Sequence, residues 1–286
     1  MDCVYGILEK LDFYLKIPYN KDKEKIMKQR TLRHLVRFSG IGLHTGDIIH
    51  VLLKPSKALG ITFNNIKVSP DTVFGTSLCT KIGQVRTIEH LMCALSILNI
   101  TNIDIILDGD EIPILDGGAS EFVEMFKDNI LDLDGSVKDF FIPSEGIEVI
   151  DENDPEKYIR AYPSGQLSIN LKVDFNGLKQ QFFYNKDTSL DFLRARTFCY
   201  LRDVEEMQKN GMALGGNLNN SIVLDNDNNP INHFLFDNEL AKHKMIDFIG
   251  DLGALGFPVI GRIECSKPGH TINNLFVRKL KEKLNV

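Results

Sequence analysis

The sequence lacks the features that would direct it to a membrane, to nucleic acid or to a disulfide-rich fold. No apolar run approaches the roughly 20 residues that a bilayer-spanning helix needs. The formal net charge is -6, so there is no basic excess for nucleic acid or anionic lipid. The five cysteines are scattered and form no C-x-x-C pair, so neither a disulfide framework nor a thiolate zinc site is indicated. We therefore expect a protein of the reducing cytoplasm, without nucleic acid and without stable membrane insertion.

At 286 residues the chain is long enough for one large domain or two of ordinary size. Its 43% hydrophobic and 25% charged residues are typical of a soluble globular protein. Residues 1–26 are predicted to be an N-terminal extension, with a helix over 4–15 and a charged linker at Lys21–Lys25. Charged residues interrupt the apolar positions of this extension, so a secretory signal is not expected.

The most informative stretch is a predicted helix over residues 238–252. One face of this helix carries an apolar stripe that must face a core, formed by Ala241, Met245, Phe248, Ile249 and Leu252. On another face, His243, Asp247 and Asp251 follow one another at intervals of four, so their side chains stack. Leu240, Gly250 and Ala254 lie beside them, where a solvated helix would carry Lys and Glu, so this face is predicted to be buried too. A buried imidazole with two carboxylates needs a partner, and a divalent metal is one. For this motif alone, a polar helix face with a chance His-x-x-x-Asp is the alternative.

A second helix is predicted to begin in the segment Thr87-Ile88-Glu89-His90, with Thr87 as its N-cap. Glu89 and His90 then lie in the first turn, where free N–H groups and the positive end of the helix dipole favour a carboxylate. Taken alone, this pair also fits exposed polar residues. A third histidine, His44, lies among glycines in the segment Gly40–Gly46, where we predict a turn between two strands.

The remaining segments predict an α+β fold in two halves. Short helices are predicted at 120–127, at 203–209 and from Thr271, and short strands at 61–63, 73–79, 102–107, 140–142, 146–150, 167–175, 221–224 and 259–265. The polar, glycine-bearing stretch Leu131–Lys138 is the best candidate boundary, giving domains at 27–135 and 136–286. Each half then contains a mixed sheet and two helices. Strands and helices do not alternate strictly, which favours α+β over a doubly wound α/β fold.

A set of ordered motifs resembles one enzyme family, the UDP-3-O-acyl-N-acetylglucosamine deacetylases. These zinc amidases commit Gram-negative bacteria to lipid A synthesis. The resemblance runs from about Lys28 to Leu284, and it rests on GIGLHTG (40–46), TIEHL (87–91), EIPILDG (111–117), RARTF (194–198), ALGG (213–216), HKMIDFIGD (243–251) and PGHTINN (268–274). It implies two similar α+β domains packed with their helices inward and the active site between them.

The resemblance also implies a role for each matching residue. Zinc would be held by His90, His243 and Asp247. Glu89 would act as general base, His270 as general acid or electrostatic partner oriented by Asp251, and Thr197 as an oxyanion donor. The substrate, UDP-3-O-acyl-N-acetylglucosamine, would meet Lys244, Phe198, Tyr200 and Asp203, and Lys242 and Arg202 are further candidates for its diphosphate. We expect the enzyme to act as a monomer.

The residue chemistry is consistent with this assignment, and two alternatives can be weighed against it. Two imidazoles and one carboxylate leave zinc an open position for water, as catalytic zinc sites require. Another zinc amidase or peptidase would typically carry H-E-x-x-H, which this sequence lacks. A nucleotide-sugar or lipid-binding protein with a structural metal would need a fourth protein ligand, and none lies near the three in sequence.

Overall fold

The structure is a computed structural model that describes residues 26–76 and 78–284. The helix and the linker predicted in the N-terminal extension lie outside these residues. Among the described helices, none is long and apolar enough to cross a membrane. The five described α-helices are α1 (Glu89–Ile97), α2 (Ser120–Phe126), α3 (Leu201–Lys209), α4 (Glu239–Leu252) and α5 (His270–Leu284). Short 3-10 helices cover Leu190–Arg194 and Gly253–Leu255.

The described chain contains both strands and helices, so the fold is of mixed α and β type. Runs of several strands separate the helices, so the two kinds of element alternate only in part. Up to residue 138 the strands are β1 (Ile26–Leu32), β2 (Val36–Ile41), β3 (Ile48–Pro55), β4 (Gly60–Phe63), β5 (Ile66–Lys67), β6 (Val73–Gly75), β7 (Thr80–Ile82), β8 (Val85–Arg86), β9 (Asn102–Leu107) and β10 (Ile130–Lys138). After residue 138 they are β11 (Phe140–Phe141), β12 (Ile147–Ile150), β13 (Tyr158–Tyr162), β14 (Ser168–Phe175), β15 (Leu178–Asn185), β16 (Thr197–Tyr200), β17 (Ser221–Leu224), β18 (Val259–Ile260) and β19 (Arg262–Ser266).

Two five-stranded sheets share one strand order. The first sheet runs β2-β3-β9-β4-β5 and the second runs β12-β13-β19-β14-β15. The central strand of the first sheet, β9, is antiparallel to β3 and parallel to β4. The central strand of the second sheet, β19, is likewise antiparallel to β13 and parallel to β14. Each sheet buries one face through alternating apolar residues, which are Ile49, Val51 and Leu53 in β3 and Ile169, Leu171 and Val173 in β14. The two halves of the chain therefore repeat one topology.

Several elements match the sequence prediction and several differ from it. The bounds of β9 and β17 coincide with the predicted strands, and α4 covers the predicted long helix. The strand predicted at 73–79 ends at Gly75, and the strand predicted at 259–265 is divided into β18 and β19. The polar stretch Leu131–Lys138 lies within β10, which pairs antiparallel with β1. Its backbone is therefore held in a ladder and does not form a linker.

Helices α1 and α4 meet in the interior of the molecule. In α1, all residues from Glu89 to Leu95 are buried, and in α4 only Lys242 and Lys244 are not buried. The backbones approach closely at Gly250, where an added Cβ would lie 2.0 Å from the carbonyl oxygen of Glu89. No side chain fits in that space, so glycine lets the two helices come close enough to share one polar cluster.

Replacing Gly250 with alanine should therefore destabilise the protein. Alanine has an intrinsic helix-propensity advantage over glycine of about 1 kcal/mol. Overpacking a core costs about 1–3 kcal/mol or more, and a backbone atom cannot move aside as a flexible side chain can. We expect Gly250→Ala to lose about 1–2 kcal/mol of unfolding free energy, measured by chemical denaturation, because a steric cost near the upper end of that range exceeds the propensity gain.

Gly216→Ala provides the control for this comparison. A Cβ at Gly216 would meet its nearest atom, Leu43 Cδ1, at an ordinary contact distance of 3.5 Å. This variant should stay within about 0.5 kcal/mol of the parent protein, as most substitutions without a clash do. Equal stabilities for the two variants would show that the helices can separate at Gly250 without cost.

Candidate active site

Three side chains from α1 and α4 form a compact group that could hold a metal ion. His90 comes from the first turn of α1, and His243 and Asp247 come from successive turns of α4. One ligand atom from each residue lies within 4.8 Å of the others. Asp247 Oδ1 lies 3.4 Å from His90 Nε2 and 3.5 Å from His243 Nε2. The predicted metal ligands are therefore brought together by the contact between the two helices.

An unsatisfied carboxylate oxygen of this group fits a bound cation. All three side chains are buried, and within the described residues Asp247 Oδ1 and His90 Nδ1 have no hydrogen-bond partner. A buried carboxylate oxygen without a donor is costly, and a cation would satisfy it. Imidazole nitrogen and carboxylate oxygen are ligands that zinc accepts in catalytic sites. Two imidazoles and one carboxylate therefore make a suitable donor set.

The orientation of His243 also suits a metal ligand. Its Nδ1 lies 3.1 Å from the carbonyl oxygen of Ala195. Because a carbonyl can only accept, Nδ1 carries the proton, and the lone pair of Nε2 points towards Asp247. Burial lowers the pKa of His243 to about 3, so the ring is neutral. A neutral imidazole held by a backbone carbonyl is the usual form of a histidine ligand.

A lysine keeps Asp247 in its charged form. Lys244 Nζ donates to Asp247 Oδ2 at 2.8 Å. Burial on its own would raise the pKa of Asp247, but nearby positive charge, foremost that of the Lys244 ammonium and also that of His270, holds it well below the usual range. Lys244 was predicted as a substrate contact. In the structure its ammonium group serves the predicted metal ligand, and it also lies 5.4 Å from the ring centre of Phe198.

Glu89 and His270 form a second group beside the first. His270 Nε2 lies 3.7 Å from Glu89 Oε1 and 3.8 Å from Asp247 Oδ2. On the other side of the ring, His270 Nδ1 donates to Asp251 Oδ2 at 3.0 Å. The predicted orienting role of Asp251 is therefore consistent with this contact. Both the base and the acid proposed from the sequence face the metal-ligand group.

The environment shifts the pKa of both groups upwards. Burial raises the pKa of Glu89, and the positive charge of His270 opposes that effect. Burial alone would lower the pKa of His270, but the carboxylates of Asp251, Glu89 and Asp247 outweigh it and raise the pKa to about 9. A protonated imidazole beside a carboxylate with a raised pKa is a pair that can exchange protons with a substrate.

Two further residues complete this network, and neither was predicted from the sequence. Thr80 Oγ1 donates to Asp251 Oδ1 at 2.5 Å, and the Thr80 backbone N–H donates to Glu89 Oε2 at 3.0 Å. Asn273 Nδ2 donates to Asp251 Oδ2 at 2.8 Å. Asn273 belongs to the PGHTINN motif, which could have indicated it. Thr80 is 171 residues from Asp251 in sequence, and no local pattern indicates that contact.

Thr197 and Phe198 lie at the start of β16, beside α4. The backbone N–H of Thr197 donates to the carbonyl of Gly117 at 2.8 Å, and the carbonyl of Leu193 accepts from Ala119 N–H at 2.7 Å. These bonds hold the RARTF segment against the turn at the end of EIPILDG. The ring of Phe198 packs edge-on to that of His243, with centroids 5.9 Å apart. Phe198 therefore forms part of the wall of the site.

The other predicted substrate contacts have different surroundings. Tyr200 is buried, and its hydroxyl donates to Asn228 Oδ1 at 2.8 Å. The guanidinium carbon of Arg202 lies 4.4 Å from the centre of the Tyr200 ring. The Nε atom of Arg202 lies 3.7 Å from Asp203 Oδ1. Lys242 Nζ lies 3.7 Å from the ring centre of Phe236. Arg202 and Asp203 are the accessible members of this set.

The approach to α1 differs from the predicted cap. Thr87 has a left-handed φ of 58°, and its hydroxyl donates to Glu111 Oε1 at 2.9 Å. The N-cap position is Ile88, which provides no side-chain cap, so the prediction for Thr87 was wrong. Glu111 is fully buried and also accepts from the backbone N–H groups of His44 and Thr45. This carboxylate therefore joins the GIGLHTG turn to the residues before Glu89.

The GIGLHTG turn also contacts the second half of the chain. The N–H groups of Leu214 and Gly215 donate to the carbonyls of His44 and Leu43 at 3.2 and 3.0 Å. His44 is buried, and neither of its ring nitrogens has a partner within the described residues. His44 therefore lies where two loops contact each other, and the residues around it form a turn, as predicted.

Comparison with known proteins gives a consistent result. Residues 29–282 match the family of UDP-3-O-acyl N-acetylglycosamine deacetylases. Similar proteins, each named UDP-3-O-acyl-N-acetylglucosamine deacetylase, occur in Nautilia profundicola (36% identical, covering 89% of this chain and 92% of that protein), Actinobacillus succinogenes (36%, 90% and 91%) and Aquifex aeolicus (34%, 89% and 93%). Both the match across most of the chain and the identity over nearly full-length relatives show that this chain belongs to the UDP-3-O-acyl N-acetylglycosamine deacetylase family.

Proposed function

We propose that this enzyme performs the deacetylation of its family with a zinc ion held by His90, His243 and Asp247. As a member of that family it is a hydrolase of lipid A biosynthesis, which removes the N-acetyl group of UDP-3-O-acyl-N-acetylglucosamine as acetate. One observation supports the metal most directly. The buried Asp247 Oδ1 lies between two imidazoles and has no hydrogen-bond partner among the described residues. When bound, zinc would polarise the acetamide carbonyl and lower the pKa of water.

Glu89 is the proposed general base. Its carboxylate lies in the first turn of α1, next to His90, with Oε2 held by the Thr80 N–H. Oε1 is left to face the group formed by His270 and Asp247. From there it can take a proton from the water that attacks the acetamide carbonyl. The positioning of this carboxylate by α1 and Thr80 supports that role.

His270 is the proposed general acid. Its Nδ1–H is held by Asp251, so Nε2 is directed towards Glu89 and Asp247. The departing amine needs a proton when the amide bond breaks, and a protonated Nε2 can donate one. Thr197, at the start of β16 beside Phe198, is the proposed donor to the oxygen on which negative charge develops. These assignments use each of the residues that the motifs predicted.

The substrate side of the proposal uses the surfaces around β16. The proposed substrate contacts are Lys244, Phe198, Tyr200 and Asp203. Because Tyr200 is buried, its proposed role is indirect: its ring supports the guanidinium of Arg202, which lies over it. An acyl chain needs an apolar surface. Segments that adjoin β16 and the GIGLHTG turn carry three leucines about half exposed, which are Leu201, Leu214 and Leu218. These leucines are the proposed acyl-binding surface.

We further propose that residues 27–135 and 136–286 form two similar α+β domains packed with their helices inward. The shared strand order of the two five-stranded sheets and the contact of α1 with α4 support this arrangement. The proposed ligands and acid–base groups all come from one chain, which supports action as a monomer. All four cysteines of the described residues are free thiols, as expected for the proposed cytoplasmic location.

Metal removal should abolish the activity. We expect chelated protein to release no acetate from UDP-3-O-acyl-N-acetylglucosamine, and one equivalent of zinc to restore release. The same zinc addition to His243→Ala should restore little, because that change removes a ligand. Zinc content, measured by atomic emission, gives a readout independent of turnover. Full acetate release by protein that contains no metal would contradict the proposal.

Glu89→Gln tests the base. The amide keeps the size and hydrogen-bonding reach of the side chain but cannot accept the proton, so turnover should fall by about 100-fold to 10,000-fold. Zinc content should not change, because Glu89 is not among the proposed ligands. The matched control is Glu124→Gln on the exposed surface of α2, which should keep full activity. A parallel loss of zinc and activity in Glu89→Gln would instead indicate a metal ligand.

A further inference from the structure

We propose that Thr80 is a positioning residue that holds the general base and the acid in one fixed arrangement. This inference rests on the proposed function of Glu89 and His270. Thr80 is the first residue of β7 and is 1% exposed. Its backbone N–H donates to Glu89, and its hydroxyl contacts both Asp251, which orients His270, and His270 itself, with Oγ1 3.2 Å from Nδ1.

The hydroxyl of Thr80 completes the hydrogen bonding of Asp251. Oδ1 of this carboxylate accepts from Thr80 Oγ1 at 2.5 Å, and Oδ2 accepts from His270 Nδ1 at 3.0 Å and from Asn273 Nδ2 at 2.8 Å. The carboxylate is thus held from both sides and cannot rotate without breaking a buried hydrogen bond. Since Asp251 only accepts, the Nδ1 of His270 must be the donor, and Nε2 stays directed at the reaction centre.

The backbone N–H of Thr80 fixes Glu89 in the same way. It donates to Oε2 at 3.0 Å, so Oε2 is occupied and Oε1 is the oxygen that remains for proton transfer. Oε1 lies 3.7 Å from His270 Nε2. Thr80 therefore bonds to both sides of the pair, to the base through its backbone and to the acid through its hydroxyl and Asp251. Proton-transfer groups lose rate steeply when they are misplaced by about 1 Å.

The strand that carries Thr80 is itself tied to α5, the helix that begins at His270. Gly75 in β6 is paired with Thr80, and a Cβ on Gly75 would lie 2.1 Å from the carbonyl oxygen of His270. Farther along α5, the guanidinium of Arg278 donates to the carbonyls of Pro70 and Val73 at 3.0 and 3.2 Å. These contacts fix the small sheet of β6, β7 and β8 against the helix. Thr80 is therefore rigid relative to the imidazole that it positions.

Thr80→Val tests the hydroxyl alone. Valine keeps the branched shape and the backbone N–H of threonine but leaves Asp251 Oδ1 buried without a donor. We expect kcat to fall by about 10-fold to 100-fold, the range for residues that orient a catalytic group through a second one. KM and zinc content should stay unchanged. Thr80→Ser keeps the hydroxyl and should recover most of the lost turnover.

Thr62→Val is the matched control. Thr62 Oγ1 donates to Asp104 Oδ1 at 2.8 Å between β4 and β9, so this change also removes a threonine hydroxyl from an aspartate. It should leave kcat and KM as they are. A second readout is the downfield proton NMR resonance of the His270 Nδ1–H, identified by its loss in His270→Gln. Thr80→Val should shift this resonance, and Thr62→Val should not.

The outcomes separate this inference from the proposed function. If the parent enzyme releases no acetate with zinc bound, the proposed function is wrong. If the parent is active and Thr80→Val matches it in kcat and in the Nδ1–H resonance, the positioning role of Thr80 is wrong. If Thr80→Val does not fold, Thr80→Ala and Thr80→Ser decide the question, because they differ from each other only in the hydroxyl. Equal kcat values for the alanine and serine variants would overturn the inference.

Discussion

The site depends on one contact, in which α4 lies directly on the first turn of α1. Gly250 allows the helix backbones to approach until the space for a Cβ is gone. At that separation His90 on one helix reaches Asp247 on the other at 3.4 Å. The distance between the axes of packed helices varies over about 8–10 Å with the size of the side chains at the contact. A wider spacing would leave these polar side chains without a shared centre.

The same contact buries three carboxylates, and most of their oxygens are hydrogen-bonded. Glu89, Asp247 and Asp251 are each 3% exposed or less. Isolated buried carboxylates cost several kcal/mol each, so each must be compensated. Asp251 is compensated by hydrogen bonds and Asp247 by Lys244, yet one oxygen of Asp247 remains without a donor. A divalent cation at that oxygen would complete the compensation and also provide the chemistry that the family requires.

Much of this arrangement could be predicted from the sequence, and the rest could not for a physical reason. The intervals of four residues in α4 placed His243, Asp247 and Asp251 on one face, because helical periodicity is local. Glu89 and His90 were found at a helix start for the same reason. The hydroxyls of Thr80 and Thr87 were not assigned correctly, because their partners Asp251 and Glu111 are distant in sequence. The strand β10 was missed because pairing with β1, and not its own polar composition, decides its conformation.

The motifs that carry no metal ligand provide residues that make contacts between the two halves of the chain. The loop that contains Gly215 lies against GIGLHTG, where a Cβ would be 2.2 Å from the carbonyl of Gly42. The turn after EIPILDG bonds to the segment that leads into Thr197. The small sheet of β6, β7 and β8 lies against His270 through Gly75. The second and third of these contacts join a segment of the first half to one that bears a proposed catalytic group of the second, namely Thr197 and His270. Because the candidate active site takes residues from both halves, its geometry is only as precise as these contacts, and close backbone packing allows little adjustment. The small and turn-forming residues of these motifs therefore set the distances between the proposed catalytic groups, although they take no part in proton transfer themselves.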